Sequence, residues 1–407
     1  MSGTSVDGID IACADLRMDG TELRCSYRGL LSLPFDPGLR ERIVAALPPG
    51  NPGAGELCRL HAELGAAYAA AFAQAHGELA GGKADLAVLH GQTFFHWVDD
   101  AGRALGTLQL GNASAVAEAL GVPVVSDLRS RDVVSGGQGA PLVSRFDQLL
   151  LAGRSGPAAA VNLGGIANLT VVDDGEVLIA YDLGPAGALM DPAAIRATGG
   201  RRQYDADGAL AASGHVSEEL LARLKSDPYY RLTPPRSTGR ELFNAAYLNA
   251  ALDGLDNITG EDVCATVTRL LVDLLAEATT QHGLKELVLS GGGSQNPVTL
   301  RWLREAVPGV RVATTADLGI PAQAKEAVAF AVLGYLTWNG LPASVPAATG
   351  ARHASILGSI QPGSGPLLLP APAEQAPRSI RVSSLAMARP RTTPSADGGT
   401  ATTGPRE

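Results

Sequence analysis

The sequence predicts an α/β fold of two domains, each built on a mixed sheet, and three observations support this prediction. The chain has 407 residues, more than one hydrophobic core usually serves. Short apolar stretches with strand character alternate with stretches that carry apolar residues at helical spacing. From Ala158 onward the order strand, glycine loop, strand repeats the order found at the start, although the two halves share negligible sequence identity. We therefore expect two halves built in the same order.

Composition and charge narrow the class of protein. Hydrophobic residues make up 45% of the chain, as in ordinary globular proteins. The formal net charge is −9 and no basic stripe is present, which argues against a nucleic-acid groove. Because there is no signal-like start and no apolar run of membrane-spanning length, we expect a cytoplasmic location. The four cysteines lack CxxC pairing and are expected to be reduced thiols, neither disulfides nor zinc ligands.

In the first half, a hairpin and a long helix precede a short buried strand. Residues 8–15 and 22–33 are predicted strands joined by a turn at Met18-Asp19-Gly20. Residues 57–79 have apolar side chains at helical spacing and an alanine-rich centre, which predicts a helix. Residues 84–89 are predicted to be a strand that delivers His90-Gly91-Gln92-Thr93 to the carboxyl edge of a sheet, where ligands bind in open α/β folds.

The second half repeats this pattern. An apolar strand from Ala158 leads into Asn162-Leu163-Gly164-Gly165. Residues 169–172 and 177–181 are predicted as the next two strands, around a turn at Asp174-Gly175.

Further helices and one more strand follow. Residues 237–241 are predicted to begin a helix through a capping box of Thr238 and Glu241. The remaining predictions are an amphipathic helix over 261–282, a buried strand over 286–289, a last helix over 324–338 that crosses back to the first domain, and a disordered, Pro-, Ser- and Thr-rich tail over 364–407.

Three glycine-rich turns, each placed where a strand should end, together indicate a nucleotide site. Glycine lets backbone N–H groups approach an anion, and neighbouring Ser, Thr and Asn add donors without bulk. No GxGxxG follows a first strand with an acidic residue downstream, so an oxidoreductase of the dinucleotide-binding type is excluded. Two hairpin phosphate loops and a late adenosine-side loop instead suggest the actin and hexokinase architecture, with ATP in the interdomain cleft. The residues expected to bind it are Ser2, Gly3, Thr4, Ser5, Val6, Asp7, Gly8, Ile9, Asp10, Asn162, Gly164, Gly165, Gly291, Gly292, Gly293 and Asn296.

Six motifs in one order are more specific than glycine content. Together they closely resemble the anhydro-N-acetylmuramic acid kinase family, from Met1 to about Gly363. We expect domain I to comprise residues 1–130 and 325–360, and domain II residues 131–324. The motifs are Met1-Ser2-Gly3-Thr4-Ser5-Val6-Asp7-Gly8-Ile9-Asp10, His90-Gly91-Gln92-Thr93, Gly136-Gly137-Gln138-Gly139-Ala140-Pro141-Leu142, Asn162-Leu163-Gly164-Gly165-Ile166-Ala167-Asn168, Ser237-Thr238-Gly239-Arg240-Glu241-Leu242-Phe243 and Lys325-Glu326-Ala327.

The resemblance implies an ATP-dependent enzyme of peptidoglycan recycling. Such an enzyme opens the 1,6-anhydro ring of anhydro-N-acetylmuramic acid with water and phosphorylates the oxygen on carbon six. Water attack at the anomeric carbon needs a base, while the γ-phosphoryl group takes up the leaving oxygen. Asp182 matches the family's catalytic aspartate, and Glu326 is implied to help orient the water. By local sequence alone, Asp182 also fits a turn aspartate and Glu326 a first-turn helix residue.

The resemblance also bears on metal and substrate. An early aspartate of this superfamily commonly faces Mg²⁺, and Asp7 is the better candidate, since Asp10 fits equally well as a turn cap. Arg129 is expected to pair with the lactyl carboxylate or with phosphate, although a solvated ion pair is equally open. The other expected substrate-binding residues are His90, Gln92 and Asn168.

Three departures from the family's usual pattern affect these expectations. Members usually have several strand residues before Met-Ser-Gly-Thr, whereas here that motif begins at Met1. Losing half of a central strand would expose apolar neighbours, so either the true start lies upstream or the protein is impaired. Leu183 replaces a customary Thr and Gly187 a customary Asn, changes that would slow the reaction or retune the substrate without removing the base.

Two alternative functions stay open at this point. One is a kinase for another sugar or a carboxylate on the same fold, which would phosphorylate without using a solvent oxygen. The other is a nucleotide- or sugar-sensing module that has kept the fold and lost turnover. The sequence does not fix the oligomeric state, and a homodimer is among the states left open.

Overall fold

The structure is a computed structural model that describes residues 1–3, 6–255, 257–371 and 373–384. Its strands are β1 (Gly8–Asp19), β2 (Glu22–Pro34), β3 (Ala87–Leu89), β4 (Gln92–Val98), β5 (Ala104–Leu110), β6 (Val124–Ser126), β7 (Ala158–Leu163), β8 (Ile166–Asp173), β9 (Glu176–Pro185), β10 (Glu286–Ser290), β11 (Arg311–Thr314), β12 (Ser359–Gln361) and β13 (Ser379–Ser384). Its α-helices are α1 (Pro37–Ala46), α2 (Ala54–Glu78), α3 (Ala113–Leu120), α4 (Ser130–Val134), α5 (Ser144–Leu151), α6 (Gly187–Ala197), α7 (Ala209–Ser213), α8 (Glu218–Lys225), α9 (Ala245–Leu252), α10 (Gly260–His282), α11 (Pro297–Ala306), α12 (Lys325–Trp338) and α13 (Pro346–Thr349).

The second half contains a continuous five-stranded sheet in the order β11-β10-β7-β8-β9. β10 pairs in parallel with both β7 and β11, whereas β8 is antiparallel to β7 and β9. Residues 158–161 of β7 are buried on both faces because helices cover both sides: α5 and α12 pack on one, α10 on the other. The predicted order strand, glycine loop, strand is confirmed, as are the turn at Asp174-Gly175 and the long helix α10.

The first half has the same kinds of element but its strands form separate sheets. β1 and β2 pair antiparallel along their length, and β13 adds to the other edge of β2. β3, β6 and β12 form a second sheet, and β4 and β5 a hairpin. Among the described strands, none lies between β1 and β3, where a cavity of about 770 Å³ is lined by Ile11, Ala12 and Val88. We call this cavity the slot.

α12 packs against β1, β3 and β6, so the predicted return of the last helix to the first half is confirmed. Its first residue, Lys325, forms a buried ion pair with Asp147 of α5, with 2.7 Å between Nζ and Oδ1. Apolar residues of α12 also join a core shared with α5, β2 and β7. None of the helices within the described ranges has the length and apolar character that crossing a membrane requires.

The prediction of a disordered tail over 364–407 is wrong for residues 379–384. These residues form β13, which pairs in parallel with β2 from Ser379 opposite Glu22 to Ser384 opposite Tyr27. Ile380 is buried in the core, and Arg381 forms an ion pair with Glu22. The strand forms because the edge of β2 offers unpaired backbone groups. Residues 385–407 lie outside the described part of the chain.

Two local predictions also need correction. Residues 237–241 do not begin a helix; α9 starts at Ala245, where the side chain of Asn244 accepts the Tyr247 N–H as a cap. The strand predicted over 84–89 is confined to Ala87–Leu89. The helix predicted over 57–79 is confirmed as α2.

Candidate functional site

The second and third glycine loops meet at the carboxyl edge of the five-stranded sheet. β7 and β10 run side by side in parallel, so the loops after them emerge together. A Cβ atom on Gly291 would lie 2.6 Å from Asn162 Oδ1 and 2.8 Å from the Leu163 carbonyl oxygen, and one on Gly293 would lie 2.9 Å from Leu163 Cβ. Gly292, in contrast, has open space around it. Glycine at 291 and 293 therefore permits a close approach of the two loops.

The N-terminus of α6 fixes the second loop. The backbone N–H groups of Ala186 and Ala188 donate to the carbonyl of Gly165, and that of Gly187 donates to the carbonyl of Gly164, at 2.9 to 3.0 Å. A Cβ atom at Gly187 would lie 3.1 Å from the Gly164 carbonyl oxygen. The glycine that departs from the family pattern thus lies directly against the loop predicted to hold phosphate.

Three predicted residues lie in one row across the sheet. In register, Asn162 of β7 is opposite Asn168 of β8, and Asn168 is opposite Asp182 of β9. Directly opposite residues of antiparallel strands share a face, so these three side chains point the same way. The expected base therefore lies on the same face as the loop that follows β7.

Asp182 is a half-buried carboxylate within β9, which continues to Pro185 and does not end at this residue as the sequence suggested. Its Oδ2 accepts the backbone N–H of Thr238 at 3.0 Å. Burial raises the pKa of the Asp182 carboxyl group to about 6; the Thr238 N–H opposes this rise and Glu241 adds to it. At pH 7 the group is mostly ionised yet more basic than an exposed aspartate, which suits a general base.

Leu183 is buried in the core beside Leu169 and Leu271. The pairing of β9 with β8 shifts register at this point, so the face of Leu183 is given by its burial in this core, which also contains Tyr181, the residue before Asp182. The position where the family has a hydroxyl is therefore on the face away from the Asp182 side chain, as this chain folds.

A second cluster forms in the first half around His90, which follows β3, and Arg129, which precedes α4. Arg129 Nη2 donates to His90 Nε2 at 3.2 Å and Nη1 donates to the Gly139 carbonyl. Burial, and then Arg129, holds the pKa of His90 well below its usual range, so the ring is neutral with its proton on Nδ1. The ring also stacks on Phe330, with 4.3 Å between centroids. Arg129 is thus held inside the cluster and does not form the solvated ion pair that the sequence left open.

Three buried polar atoms in this cluster have no hydrogen-bond partner among the described residues: His90 Nδ1, Gln92 Oε1 and Arg129 Nε. The amide nitrogen of Gln92 is engaged, since it donates to the Gly3 carbonyl at 3.3 Å. Buried polar atoms are rarely left unpaired in folded proteins. Their concentration at three predicted substrate-binding residues favours a site whose remaining hydrogen bonds come from a bound molecule.

Glu326 lies in the first turn of α12 and its surface is accessible to solvent. Loss of hydration next to the surrounding protein raises the pKa of its carboxyl group. The positive charges of Lys325, the Met1 amine and Arg129 oppose this rise. Because the side chain is exposed, water screens this effect. Glu326 therefore belongs electrostatically with the Arg129 cluster.

The first glycine loop is anchored by two contacts. The hydroxyl groups of Ser2 and Tyr68 lie 2.5 Å apart in the interior, and Arg40 Nε donates to the Val6 carbonyl at 2.8 Å. Val6 has a φ of 52°, which is uncommon for a β-branched residue. Backbone strain at this loop is typical of ligand-binding segments.

At three of the predicted nucleotide-binding residues, the side-chain position is already used in packing or helix capping. A Cβ atom on Gly8 would lie 2.5 Å from the Leu33 carbonyl oxygen, and Ile9 is buried in the core. The Asn296 side chain caps α11 by accepting two backbone N–H groups at 3.0 and 3.2 Å. Gly8 and Ile9 therefore have only their backbone available to a nucleotide, and the Oδ1 atom of Asn296 is already occupied as a cap.

The carboxylates beside the first loop differ in availability. Asp10 accepts the Ser32 hydroxyl at 2.5 Å, whereas Asp7 is exposed. Across the described ranges, no three His, Cys, Asp or Glu side chains are grouped to hold a metal ion. Thr4 and Ser5, which were also predicted to bind nucleotide, lie outside the described residues.

Within the described part of the chain, no hydrogen bond or ion pair connects the Asp182 row with the His90 cluster. Sequence reasoning missed Tyr229 and Arg236, which hold the backbone of Asp182. It also took Thr238 for a helix cap. The only signal for these residues was their closeness to the Ser237-Thr238-Gly239 motif.

Comparison with known proteins gives one consistent family. A model of the anhydro-N-acetylmuramic acid kinase family matches residues 1–363. A kinase of that name from Streptomyces avermitilis is 51% identical over 93% of this chain and 97% of its own length. Those from Streptomyces coelicolor and Rhodococcus erythropolis are 50% and 47% identical, over 94% and 95% of this chain and 97% and 98% of their own lengths.

Proposed function

The chain belongs to the anhydro-N-acetylmuramic acid kinase family, and from this premise we propose which of its residues carry out the reaction. It is a phosphotransferase of cell-wall recycling that converts 1,6-anhydro-N-acetylmuramic acid to N-acetylmuramic acid 6-phosphate. A water oxygen bonds to carbon one as the bond from carbon one to oxygen six breaks. Oxygen six takes the γ-phosphoryl group of ATP, ADP leaves, and one water proton goes to a base.

Asp182 is that base. The observation that carries this assignment is the row of Asn162, Asn168 and Asp182 on one face, beside the second glycine loop. The pKa of about 6 leaves Asp182 ionised at neutral pH and able to take a proton from water. Because the phosphoryl group accepts the leaving oxygen, no second carboxyl group is needed as an acid.

The three glycine loops bind ATP. The contacts of Gly291 and Gly293 with Asn162 and Leu163 bring two of these loops together without intervening side chains. Backbone N–H groups in such turns suit phosphate oxygens. The first loop, anchored through Ser2 and Val6, is the third part of the site.

Mg²⁺ fits the donor set beside the first loop. It prefers oxygen ligands and keeps several waters, so one exposed carboxylate is sufficient protein chemistry. Asp7 would hold the ion, since Asp10 is already engaged by Ser32. When bound, the ion would neutralise charge on the phosphates.

The cluster of His90, Gln92 and Arg129 binds the sugar, together with Asn168. Its unpartnered polar atoms provide a donor at His90 Nδ1, an acceptor at Gln92 Oε1 and a cationic donor at Arg129 Nε. This set suits hydroxyl, amide and carboxylate groups, all of which the muramic acid substrate carries. Glu326 helps to orient the water, and the positive charge of Arg129 favours its ionised carboxylate. The reaction takes place in the cytoplasm, and a homodimer is compatible with all these roles.

Product analysis in ¹⁸O-labelled water tests this function. The parent protein, Asp182→Asn and the matched control Asp174→Asn are incubated with ATP, Mg²⁺ and the anhydro sugar. Asp174 lies in the turn after β8 with a φ of 47°, a conformation that Asn also tolerates. We expect the parent and the control to make a 6-phosphate labelled at the anomeric oxygen, and Asp182→Asn to make it at least about a hundredfold more slowly.

An unlabelled product would mean that another kinase reaction is at work. If Asp182→Asn were as active as the control, the assignment of the base would be wrong. If the folded parent bound ATP and the sugar without turnover, the sensing function would be favoured.

A further inference from the structure

The loop formed by residues 228–238 holds Asp182 from three directions. The Asp182 N–H donates to the Arg236 carbonyl at 3.0 Å, and the Asp182 carbonyl accepts the Tyr229 hydroxyl at 2.6 Å. The Thr238 N–H donates to the carboxylate itself. β8 pairs with the other side of β9, so the loop occupies the edge that the sheet leaves open.

The guanidinium group of Arg236 organises this loop. Its Nη1 donates to the carbonyls of Tyr229, Tyr230 and Leu232 at 3.3, 2.9 and 2.9 Å, around the end of the 3-10 turn Pro228–Arg231. The guanidinium carbon also lies 4.8 Å from the centroid of the Tyr229 ring and 5.7 Å from that of Tyr181, the residue before Asp182. The planar guanidinium group of Arg236 therefore holds the residues of this loop together and packs the loop against β9.

Lysine cannot replace this arrangement. A planar guanidinium stacks on aromatic rings and directs several N–H groups at fixed angles, whereas an ammonium group is a compact, strongly hydrated charge. An Arg236→Lys variant would keep the charge but lose the geometry that fixes residues 229–232 relative to residue 238.

Resting on the proposed role of Asp182, we propose that Arg236 is a positioning residue that holds the loop so that the Thr238 N–H meets the carboxylate of the base. Arg236 does not touch the reacting atoms. It contacts the backbone of Asp182 through its own carbonyl and through Nε, which lies 3.5 Å from the Asp182 carbonyl oxygen. It acts on the carboxylate through Thr238, and Tyr229 also holds the backbone of Asp182.

This role makes the pH dependence of kcat informative. The groups that face Asp182 are the Thr238 N–H, Glu241, the Arg236 guanidinium and the Tyr229 hydroxyl. Losing the Thr238 donor removes the contribution that lowers the pKa of Asp182, so the base requires a higher pH to ionise. A hydrogen bond worth about 1 kcal/mol corresponds to a shift of somewhat under one pH unit.

The experiment compares kcat between pH 5 and 9 for the parent, Arg236→Lys, Tyr229→Phe and Arg231→Lys. Arg231→Lys is the matched control, because exposed Arg231 ends the same turn and its guanidinium group, among the described residues, donates to the Ser226 carbonyl alone. We expect Arg236→Lys to move the acid limb upward by about half to one pH unit, which lowers kcat about two- to fivefold at pH 6, and to leave KM for ATP unchanged. Tyr229→Phe keeps the ring and should shift the limb less, while the control should match the parent.

A uniform loss of kcat at all pH values with an unmoved acid limb would overturn the proposal, as would an equal shift in the control. If Arg236→Lys does not fold, the Tyr229→Phe profile decides, and an unmoved limb there counts against the proposal. Asp182→Asn separates the two hypotheses. If Asp182→Asn abolishes turnover while the loop variants keep the parent profile, only the positioning role fails. If Asp182→Asn stays active, the base assignment itself fails.

Discussion

The two halves of the molecule use the same order of elements but differ at the centre of their sheets. In the second half, β7 has β8 on one side and β10 on the other. In the first half, β2 is the one described strand that pairs with β1, and the cavity of about 770 Å³ lies on the side toward β3. The comparison shows what a central strand contributes. It carries a glycine loop into the site, and it also joins two layers of apolar residues that otherwise face a void.

At one end of this slot, the chain before β1 pairs with β1 through two backbone hydrogen bonds. Met1 and Asp10 exchange both backbone hydrogen bonds at 2.8 Å, as opposite residues of antiparallel strands do. The pair ends at a buried amine, and burial lowers the pKa of that amine to about 6. A segment attached ahead of Met1 would continue along β1 into the cavity.

The largest expected effect is a loss of kcat, which should be greater for the catalytic carboxylate of the second half than for that of the first half. Asp182→Asn in the complete sheet should lower kcat by roughly 10²- to 10⁴-fold, the usual worth of a general base. Glu326→Gln beside the incomplete sheets should cost about tenfold, since it only helps to orient the water and hydrogen-bonding ability is retained. Steady-state rates of ADP and sugar phosphate release measure both. Equal losses in the two variants would contradict the division of roles.

The second prediction concerns adding a strand next to β1, so that the first half gains a central strand like that of the second half. Six residues of alternating valine and threonine fused ahead of Met1 should form a strand between β1 and β3. Filling the slot should raise the free energy of unfolding by on the order of 3 kcal/mol, after the entropy of ordering is subtracted. Urea unfolding measures this, with a Gly-Ser extension of equal length as control. The idea fails if both extensions behave alike.

A third, slightly smaller effect comes from the buried amine in a protein whose first residue is Met1. Its pKa falls from 8.0 in the unfolded state to about 6 in the folded state. Between these pH values the unfolded state binds more protons, so stability should rise with pH from 6 to 8, by about 2 kcal/mol. N-terminal acetylation should abolish the rise. Since His90 also titrates below pH 7, the difference between acetylated and free protein is the quantity to measure.

The smallest effect concerns the strand that extends β2. Ile380→Ala should lower the free energy of unfolding by about 1 to 2 kcal/mol, less than at a fully enclosed core position. Ser383→Ala, at an exposed position of the same strand, should be neutral. Neither variant should change kcat, because β13 lies at the hairpin end of β2. A destabilised Ser383→Ala would show that more than burial holds β13 in place.

Local patterns were sufficient for most of the fold and for part of the site. The helix α10 and the order of β7, β8 and β9 follow from periodicity and turn residues within short windows. β13 was missed because its partner edge lies more than 350 residues away in the sequence, and six residues carry too weak a pattern by themselves.

The errors near the site have the same origin. Thr238 and Glu241 have the spacing of a capping box, yet the Thr238 N–H is taken by Asp182, 56 residues earlier. The neutral state of His90 likewise depends on burial and on Arg129, which no local window contains. Distant partners therefore decided what these residues do.

The pairing of β13 with β2 has a practical consequence for attaching probes. Ser384 lies opposite Tyr27, and Pro34, which is opposite the first residue of β1, is seven positions further along β2. At about 3.3 Å per residue, this is a separation of roughly 23 Å along the strand. A fluorophore attached at position 383 would thus lie at the hairpin end of β1 and β2, at a fixed distance from the first glycine loop. It would not block nucleotide exchange at that loop.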